Sequence, residues 1–337
     1  MNHAPLEDSP YPPLARTDTH DFAPFIRILG RGPGRSRSLS RIEARQALGM
    51  VLRGEATGEQ IGALLMLLRY RGEATDEMVG LVEAARDHLG SSWHLSQPVD
   101  LDWPSYADGR TRGLAWYLLA ALLLAKSGLR VVMHGPLAGA GRVPLAETLD
   151  LLGIVPSATP AAAEAMLAAR RFAFLPLEIF YPELAALLAL RGVLGLRSPL
   201  NTVGRLLDPA DAAASIDGVF HPAYIALHIG AAGLLGRRIT VLKGGGGEAE
   251  WSGVKPLAVN TDGQEQIWPN LGVAGKPDSQ SPADLLAVWQ GRNADPVGEA
   301  AVIATAAVAL HATGQGNSPQ ACLDRARLLW SGRHALE

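Results

Sequence analysis

The feature that most constrains this chain is a change of rhythm near residue 94. Before it, apolar residues recur at helical spacing and each run carries start and stop signals. Ser40 followed three residues later by Glu43 is a capping box, and the helix it opens over 41–53 stops at Gly54. Thr57 opens a second through Arg69, with Ile61, Leu64, Leu65 and Leu68 on one face. A third starts at Thr75 and runs to about Leu89, and an apolar segment over 22–29 precedes them all. Beyond residue 94, short apolar runs alternate with helical ones. Strands are expected at 99–103, 129–134, 172–177 and 239–243, and helices at 114–127, 144–152, 183–190 and 222–235. Such alternation implies a mainly parallel sheet covered by helices, because parallel strands need crossover connections. The end, 283–289 and 296–333, is helical again.

The expected fold class is therefore α/β, with a small all-helical N-terminal domain and a larger α/β domain. The boundaries read as a disordered tail over 1–20, a helical domain over 21–93 joined by helices from about 183–215, and an α/β domain over 94–337. Nearly half of the 337 residues are hydrophobic, enough for a sizeable core. The longest apolar run, 114–125, is too short for a membrane span, which needs about 20 residues. The N-terminus has no apolar stretch and is not a signal peptide. One cysteine, Cys322, excludes an internal disulfide and a Cys-rich zinc site. These features point to a soluble cytoplasmic protein. A net charge of −3 leaves no global basic field, so nucleic-acid binding would need a local patch.

Candidate chemistry gathers in the loops that follow the strands. Gly244–Gly247 after the strand ending at Lys243 can offer backbone N–H groups, Gly245 and Gly246 among them, to a phosphate; it also reads as a plain turn. His134 and Gly135 end another strand, and Arg142 follows a glycine-containing loop, which suits an anion pocket; a histidine satisfied at a strand end is the competing reading. The polar loop 105–113 carries Tyr106, Arg110 and Arg112. Seven arginines lie in 27–53, including Arg31, Arg35 and Arg37, with Glu43 the one acid among them; this can be a nucleic-acid contact or a solvated helix face. Glu248 and Glu250 can hold Mg²⁺, or form a solvated pair.

The stretch from Leu39 to Arg69, its continuation over 71–77, the segment over 190–197 with Asn201 and Pro209, and His221-Pro222 together resemble anthranilate phosphoribosyltransferase. That resemblance implies the nucleoside phosphorylase/phosphoribosyltransferase class of fold, a homodimer formed through the helical domain, and a cleft for phosphoribosyl pyrophosphate with Mg²⁺. It also implies that Arg191 receives an acceptor carboxylate. The family's phosphate motifs are altered, however. Pro104-Ser105-Tyr106 replaces a Gly-Thr-Gly-Gly-Asp loop, only His134-Gly135 survives of a Lys-His-Gly-Asn-Arg motif, and Ala249-Glu250 stands for an Asp-Glu metal pair. The altered motifs, with Gly141-Arg142-Val143 and Gly247-Glu248-Ala249, resemble a paralogous group associated with nucleic-acid binding.

Two main readings follow. In the first, Arg31, Arg35, Arg37, Arg110, Arg112 and Arg142 hold nucleic-acid phosphates and Tyr106 stacks on a base. In the second, the chain is an active phosphoribosyl- or glycosyltransferase in which Tyr106, Arg110, His134, Gly135, Arg142, Arg191, Asn201, Gly245 and Gly246 bind substrate. Glu248 and Glu250 then hold Mg²⁺. A nucleoside phosphorylase-like enzyme is a third possibility.

Overall fold

The structure is a computed structural model that describes residues 20–32, 34–90, 93–106, 113–137 and 145–334. The N-terminal tail, Arg110, Arg112 and Arg142 lie outside the described residues. Four helices come first: α1 (Ala23–Gly30), α2 (Arg41–Leu52), α3 (Gly58–Arg71) and α4 (Thr75–Leu89). The capping boxes expected at Ser40 and Thr57 both form. Buried Glu77 adds a tie of another kind. Its carboxylate accepts from the backbone N–H of Ala74 at 2.8 Å and from that of Leu39 at 2.6 Å, anchoring the approach to α2 onto α4.

The remainder is built on seven strands: β1 (Leu101–Pro104), β2 (Val131–Gly135), β3 (Phe172–Pro176), β4 (Ser215–Val219), β5 (Ile239–Lys243), β6 (Leu257–Thr261) and β7 (Gln264–Trp268). Between and after them run α5 (Trp116–Lys126), α6 (Leu145–Leu151), α7 (Pro160–Arg170), α8 (Leu177–Phe180), α9 (Pro182–Ala189), α10 (Arg191–Leu194) and α11 (Leu200–Arg205). The last helices are α12 (Ile225–Leu234), α13 (Pro282–Trp289), α14 (Pro296–Ala312) and α15 (Pro319–Gly332). The sheet order is β3-β2-β1-β4-β5-β6-β7. β1 to β5 are parallel, and β6 and β7 close the edge as an antiparallel hairpin. The fold is thus a helical N-terminal domain followed by an α/β domain with a mostly parallel sheet.

The strands β2, β3, β4 and β5 feed two cores, since alternate side chains point to opposite faces. On β2, Val131 and Met133 join the core beneath α5, α14 and α15, while Val132 joins the core shared with the N-terminal helices. α5 is apolar all round and almost wholly buried, as such a helix must be. Among the described residues no helix is long and apolar enough to cross a membrane.

Several elements escaped sequence reading. β4 carries Asp217 at its centre, which breaks the apolar signature of a buried strand. The β6–β7 hairpin alternates polar residues, although its Asp262-Gly263 turn, with φ of 51° and 89°, is a readable hairpin signal. α7 is alanine-rich with little periodicity, and the helix expected over 296–333 is two helices, broken near Gly314 at φ 70°.

α2 and α4 cross at Gly80, where an added Cβ would sit 2.2 Å from the Arg41 carbonyl oxygen and 2.9 Å from Ala44 Cβ. Helix propensity alone favours alanine by about 1 kcal/mol. The backbone clash is expected to reverse that sign, so Gly80→Ala should destabilise by about 1–3 kcal/mol in urea unfolding. A variant as stable as the parent would show that the two helices separate at little cost.

Candidate functional site

Parallel register places the C-terminal ends of the strands on one edge: Pro104 pairs with His134, Gly135 with Pro176, and Val219 with Lys243. This is where open α/β sheets carry ligands. A cavity of about 410 Å³ opens there. Its wall from the end of β4 is Val219, Phe220 and His221, and Gly246 comes from the turn after β5. Arg69 and Glu73 reach it from α3 and the following loop, Arg191 and Arg197 from around α10, Asn201 and Arg205 from α11, and Tyr224 and His228 from the start of α12.

Four arginines against one glutamate make this lining cationic. Burial pushes the Glu73 carboxyl above its usual range, which weakens the one acidic charge among the described lining residues. Arg69 donates from Nη1 to the Tyr224 hydroxyl, linking the helical block to α12. Phe220 is 54% exposed and meets His221 edge-on, with ring centroids 4.7 Å apart. Tyr70, beside Arg69 and Arg71, is 90% exposed.

Beneath the cavity lies a buried ionic triad. Arg205 Nη1 donates to Asp217 Oδ1 at 2.9 Å and to the Gly218 carbonyl at 2.6 Å, and His228 Nδ1 meets Asp217 Oδ2 at 2.5 Å. Burial pushes the Asp217 carboxyl up, but His228, Arg205 and their hydrogen bonds outweigh it and hold the carboxyl below its usual range.

The expected site residues divide. Arg191, Asn201 and Gly246 line the cavity. Gly245 lies in the same turn, whose backbone is largely turned on itself: Gly245 N–H donates to Glu250 O at 2.9 Å and Gly247 N–H to Gly244 O at 3.2 Å. Tyr106 and His134 do not line the cavity. Tyr106 is 2% exposed, its ring packs on Gly204, and its hydroxyl pairs with His134 Nδ1 at 2.9 Å. The expected base stacking on Tyr106 is therefore corrected: neither face of a ring so enclosed is open to a base. His134 is fully buried, with Nε2 3.2 Å from Asp102 Oδ1 but misaligned for a hydrogen bond. Gly135 is required by crowding, since a Cβ there would lie 2.0 Å from the Ser105 carbonyl oxygen. The solvated reading of Glu248 and Glu250 fails as well, because both are buried, and Glu250 Oε2 accepts from Tyr117 N–H at 3.0 Å at the start of α5. Neither carboxylate lines the cavity, and the described residues contain no group of three His, Cys, Asp or Glu able to hold a metal.

The arginine-rich segment is less basic than it reads. Arg37 pairs with Glu43 at 2.7 Å, Arg45 with Asp87 at 2.6 Å, Arg53 with Glu55 at 2.8 Å, and Arg41 with Glu83. Two of those acids stand on α4, which packs along α2, so the neutralising charges are distant in sequence. Arg31 and Arg35 are exposed and have no acidic partner among the described residues. Arg71 Nη1 donates to Ser36 Oγ at 2.7 Å, which ties their loop to the end of α3 and so to the Arg69 side of the cavity. Sequence reasoning missed Arg69, Arg197, Arg205, Phe220 and Tyr224. The available signal was a lone charge in each of two buried runs, Arg205 in 203–207 and Asp217 in 215–219, because buried charges are nearly always paired.

A second buried acid, Asp208, lies away from the cavity. Burial, then the nearby Asp102, raises its carboxyl from 3.8 to about 6. A raised carboxyl adds stability that is fully present below the unfolded value and is lost as pH rises through about 6. The gap of about two units corresponds to at most about 3 kcal/mol. Asp208→Asn should therefore gain stability relative to the parent between pH 4 and pH 7, followed by thermal unfolding across that window. Parallel pH profiles for the two proteins would contradict the assignment.

Residues 23–89 match the family described as the glycosyl transferase family, helical bundle domain. The chain is 30% identical over 307 residues to the uncharacterised protein YbiB of Escherichia coli, covering 88% of this chain and 95% of that protein. It is 27% identical over 321 residues to anthranilate phosphoribosyltransferase of Natronomonas pharaonis, covering 90% and 93%. Among solved structures, anthranilate phosphoribosyltransferase of Thermus thermophilus superposes with a TM-score of 0.78 at 25% identity, covering 94% of this chain and 97% of that one. The Saccharomyces cerevisiae enzyme in complex with PRPP and Mg shares the fold, with a TM-score of 0.77 at 18% identity and 94% of each chain covered.

Proposed function

Because the chain belongs to the anthranilate phosphoribosyltransferase-like family that includes Escherichia coli YbiB, with the family's fold and a cationic cavity at the sheet edge, we propose that it binds nucleic acid through this basic cleft. The observation that carries the reading is the cavity lining, which among the described residues holds Arg69, Arg191, Arg197 and Arg205 with Glu73 as its one acid. Arg31 and Arg35 extend the basic surface, and Arg110, Arg112 and Arg142, which lie outside the described residues, belong to the same proposal. Arg37 contributes by exchanging Glu43 for a phosphate, which is feasible because exposed pairs are worth only about 0–1 kcal/mol. The base-stacking role passes from Tyr106 to the exposed rings of Phe220 and Tyr70. A homodimer formed through the helical domain, in the cytoplasm, belongs to the same proposal.

One observation favours a second reading. Arg191, expected to receive an acceptor carboxylate in a phosphoribosyltransferase, and Asn201, expected to bind substrate, line the same cavity. Phosphoribosyl pyrophosphate and Mg²⁺ would enter with that activity.

The test is fluorescence anisotropy with labelled single-stranded DNA at two salt concentrations, with and without phosphoribosyl pyrophosphate and Mg²⁺. Four phosphate contacts to a single strand predict an affinity loss of about 50-fold as salt rises from about 50 to 200 mM. Arg69→Ala should lower the slope of log affinity against log salt by about 0.7. No binding at low salt would remove the nucleic-acid reading and turn attention to acceptor screening for a transferase.

A further inference from the structure

Arg205 ends α11 at 8% exposure, and it lines the cavity. Its Nη1 is committed to Asp217 and the Gly218 carbonyl, and Asp217 is completed by His228. A guanidinium carries five N–H donors in one plane. No acceptor among the described residues takes those on Nε and Nη2. Nη2 faces the glycine turn, 3.6 Å from where a Cβ on Gly247 would lie. Gly247 has φ of +94° and no side chain to cover that donor. Neither Nε nor Nη2 is a buried atom left without a partner, so both donors open to the cavity, where the suited acceptor is an entering anion.

We infer that the cavity floor is a phosphate subsite, in which Arg205 receives a phosphomonoester of nucleotide size through Nε and Nη2. Asp217 balances one positive charge and, held by His228, aims the guanidinium. Arg69, Arg191 and Arg197 remain on the walls. A guanidinium fork matches the oxygens of a phosphate in shape as well as charge. A cavity of about 410 Å³ accepts a nucleotide-sized molecule. Phe220, exposed at the rim, offers a ring face to a base. The phosphate arrives either on a free phosphate ester or on the end of a nucleic-acid strand, and the subsite does not depend on the nucleic-acid reading above.

The experiment titrates the full-length protein calorimetrically with uridine 5′-monophosphate and with uridine. In parallel, anisotropy compares one single-stranded oligonucleotide carrying either a 5′-phosphate or a 5′-hydroxyl. The nucleotide should bind at about 1 mM or tighter, and at least about tenfold better than the nucleoside. Arg205→Lys keeps the charge but loses the fork, and should weaken the nucleotide by at least about tenfold, or about 1.4 kcal/mol, in a protein with unchanged circular dichroism. A preference of about tenfold for the phosphorylated strand supports a strand end as the source. Equal affinity for the two strands with the nucleotide still bound supports a free phosphate ester. If Arg205→Lys does not fold, the wild-type comparison decides alone. Equal affinity for nucleotide and nucleoside, or nucleotide binding unchanged by Arg205→Lys, would overturn the subsite. Loss of oligonucleotide binding alone would count against the basic cleft and leave a bound nucleotide as support for the subsite.

Discussion

A carboxylate with no exposed surface in the middle of a sheet is the constraint on which this site depends. Asp217 lies on β4, where an isolated charge would be very costly to bury. It is tolerated because both oxygens are engaged, one by Arg205 at the end of α11 and the other by His228 on α12. One side chain therefore fixes two helices against the central strand. Breaking one member of such a set typically costs about 3–5 kcal/mol, because the remaining charge is left uncompensated. The geometry of the cavity floor is thus tied to the integrity of the domain. A guanidinium held this way loses little further side-chain freedom when an anion arrives, which is the advantage of a preorganised site.

Backbone crowding sets the other boundary of the cleft. A Cβ on Gly218 would fall 2.1 Å from the Glu248 carbonyl carbon, and one on Gly244 would fall 1.5 Å from its oxygen. The ends of β4 and β5 are therefore pressed against the segment that follows the glycine turn. This crowding draws the backbone inward together with Glu248 and Glu250. The glycine run serves close packing at least as much as ligand access. In this chain the cavity at the sheet edge is lined by arginines, and Glu248 and Glu250 nearby in the sequence are buried.

What the sequence revealed follows from the range over which each signal acts. Capping boxes at Ser40 and Thr57 and the strand–helix rhythm are local, and they were legible. So was the fold class, from periodicity and then from resemblance. The strand β4 was hidden because its central aspartate denies the apolar signature, yet that same aspartate organises the site. Arginine charge was overestimated in the helical block because its neutralising acids, Glu83 and Asp87, lie about forty positions downstream and meet it only when α4 packs on α2. Tyr106 reads as an exposed stacking ring in a polar loop, but it is drawn inward by His134 and by the space above Gly204. Arg69 and Arg205 come from helices far apart in the chain, and only tertiary packing makes them neighbours of one cavity.

The hairpin at the far edge has a consequence for how the molecule keeps to itself. The two margins of the sheet differ: β3 is wholly buried, whereas four of the five residues of β7 are exposed. An exposed outer strand offers a ladder of unsatisfied amides that another chain can extend. Here that margin carries Gln264, Glu265 and Gln266, with Ile267 the one large apolar side chain exposed. The charge of Glu265 on this outer strand works against its pairing with another strand edge. The same polarity that concealed β7 from a reading of apolar patterns thus serves as colloidal insurance, disfavouring polymerisation through the sheet.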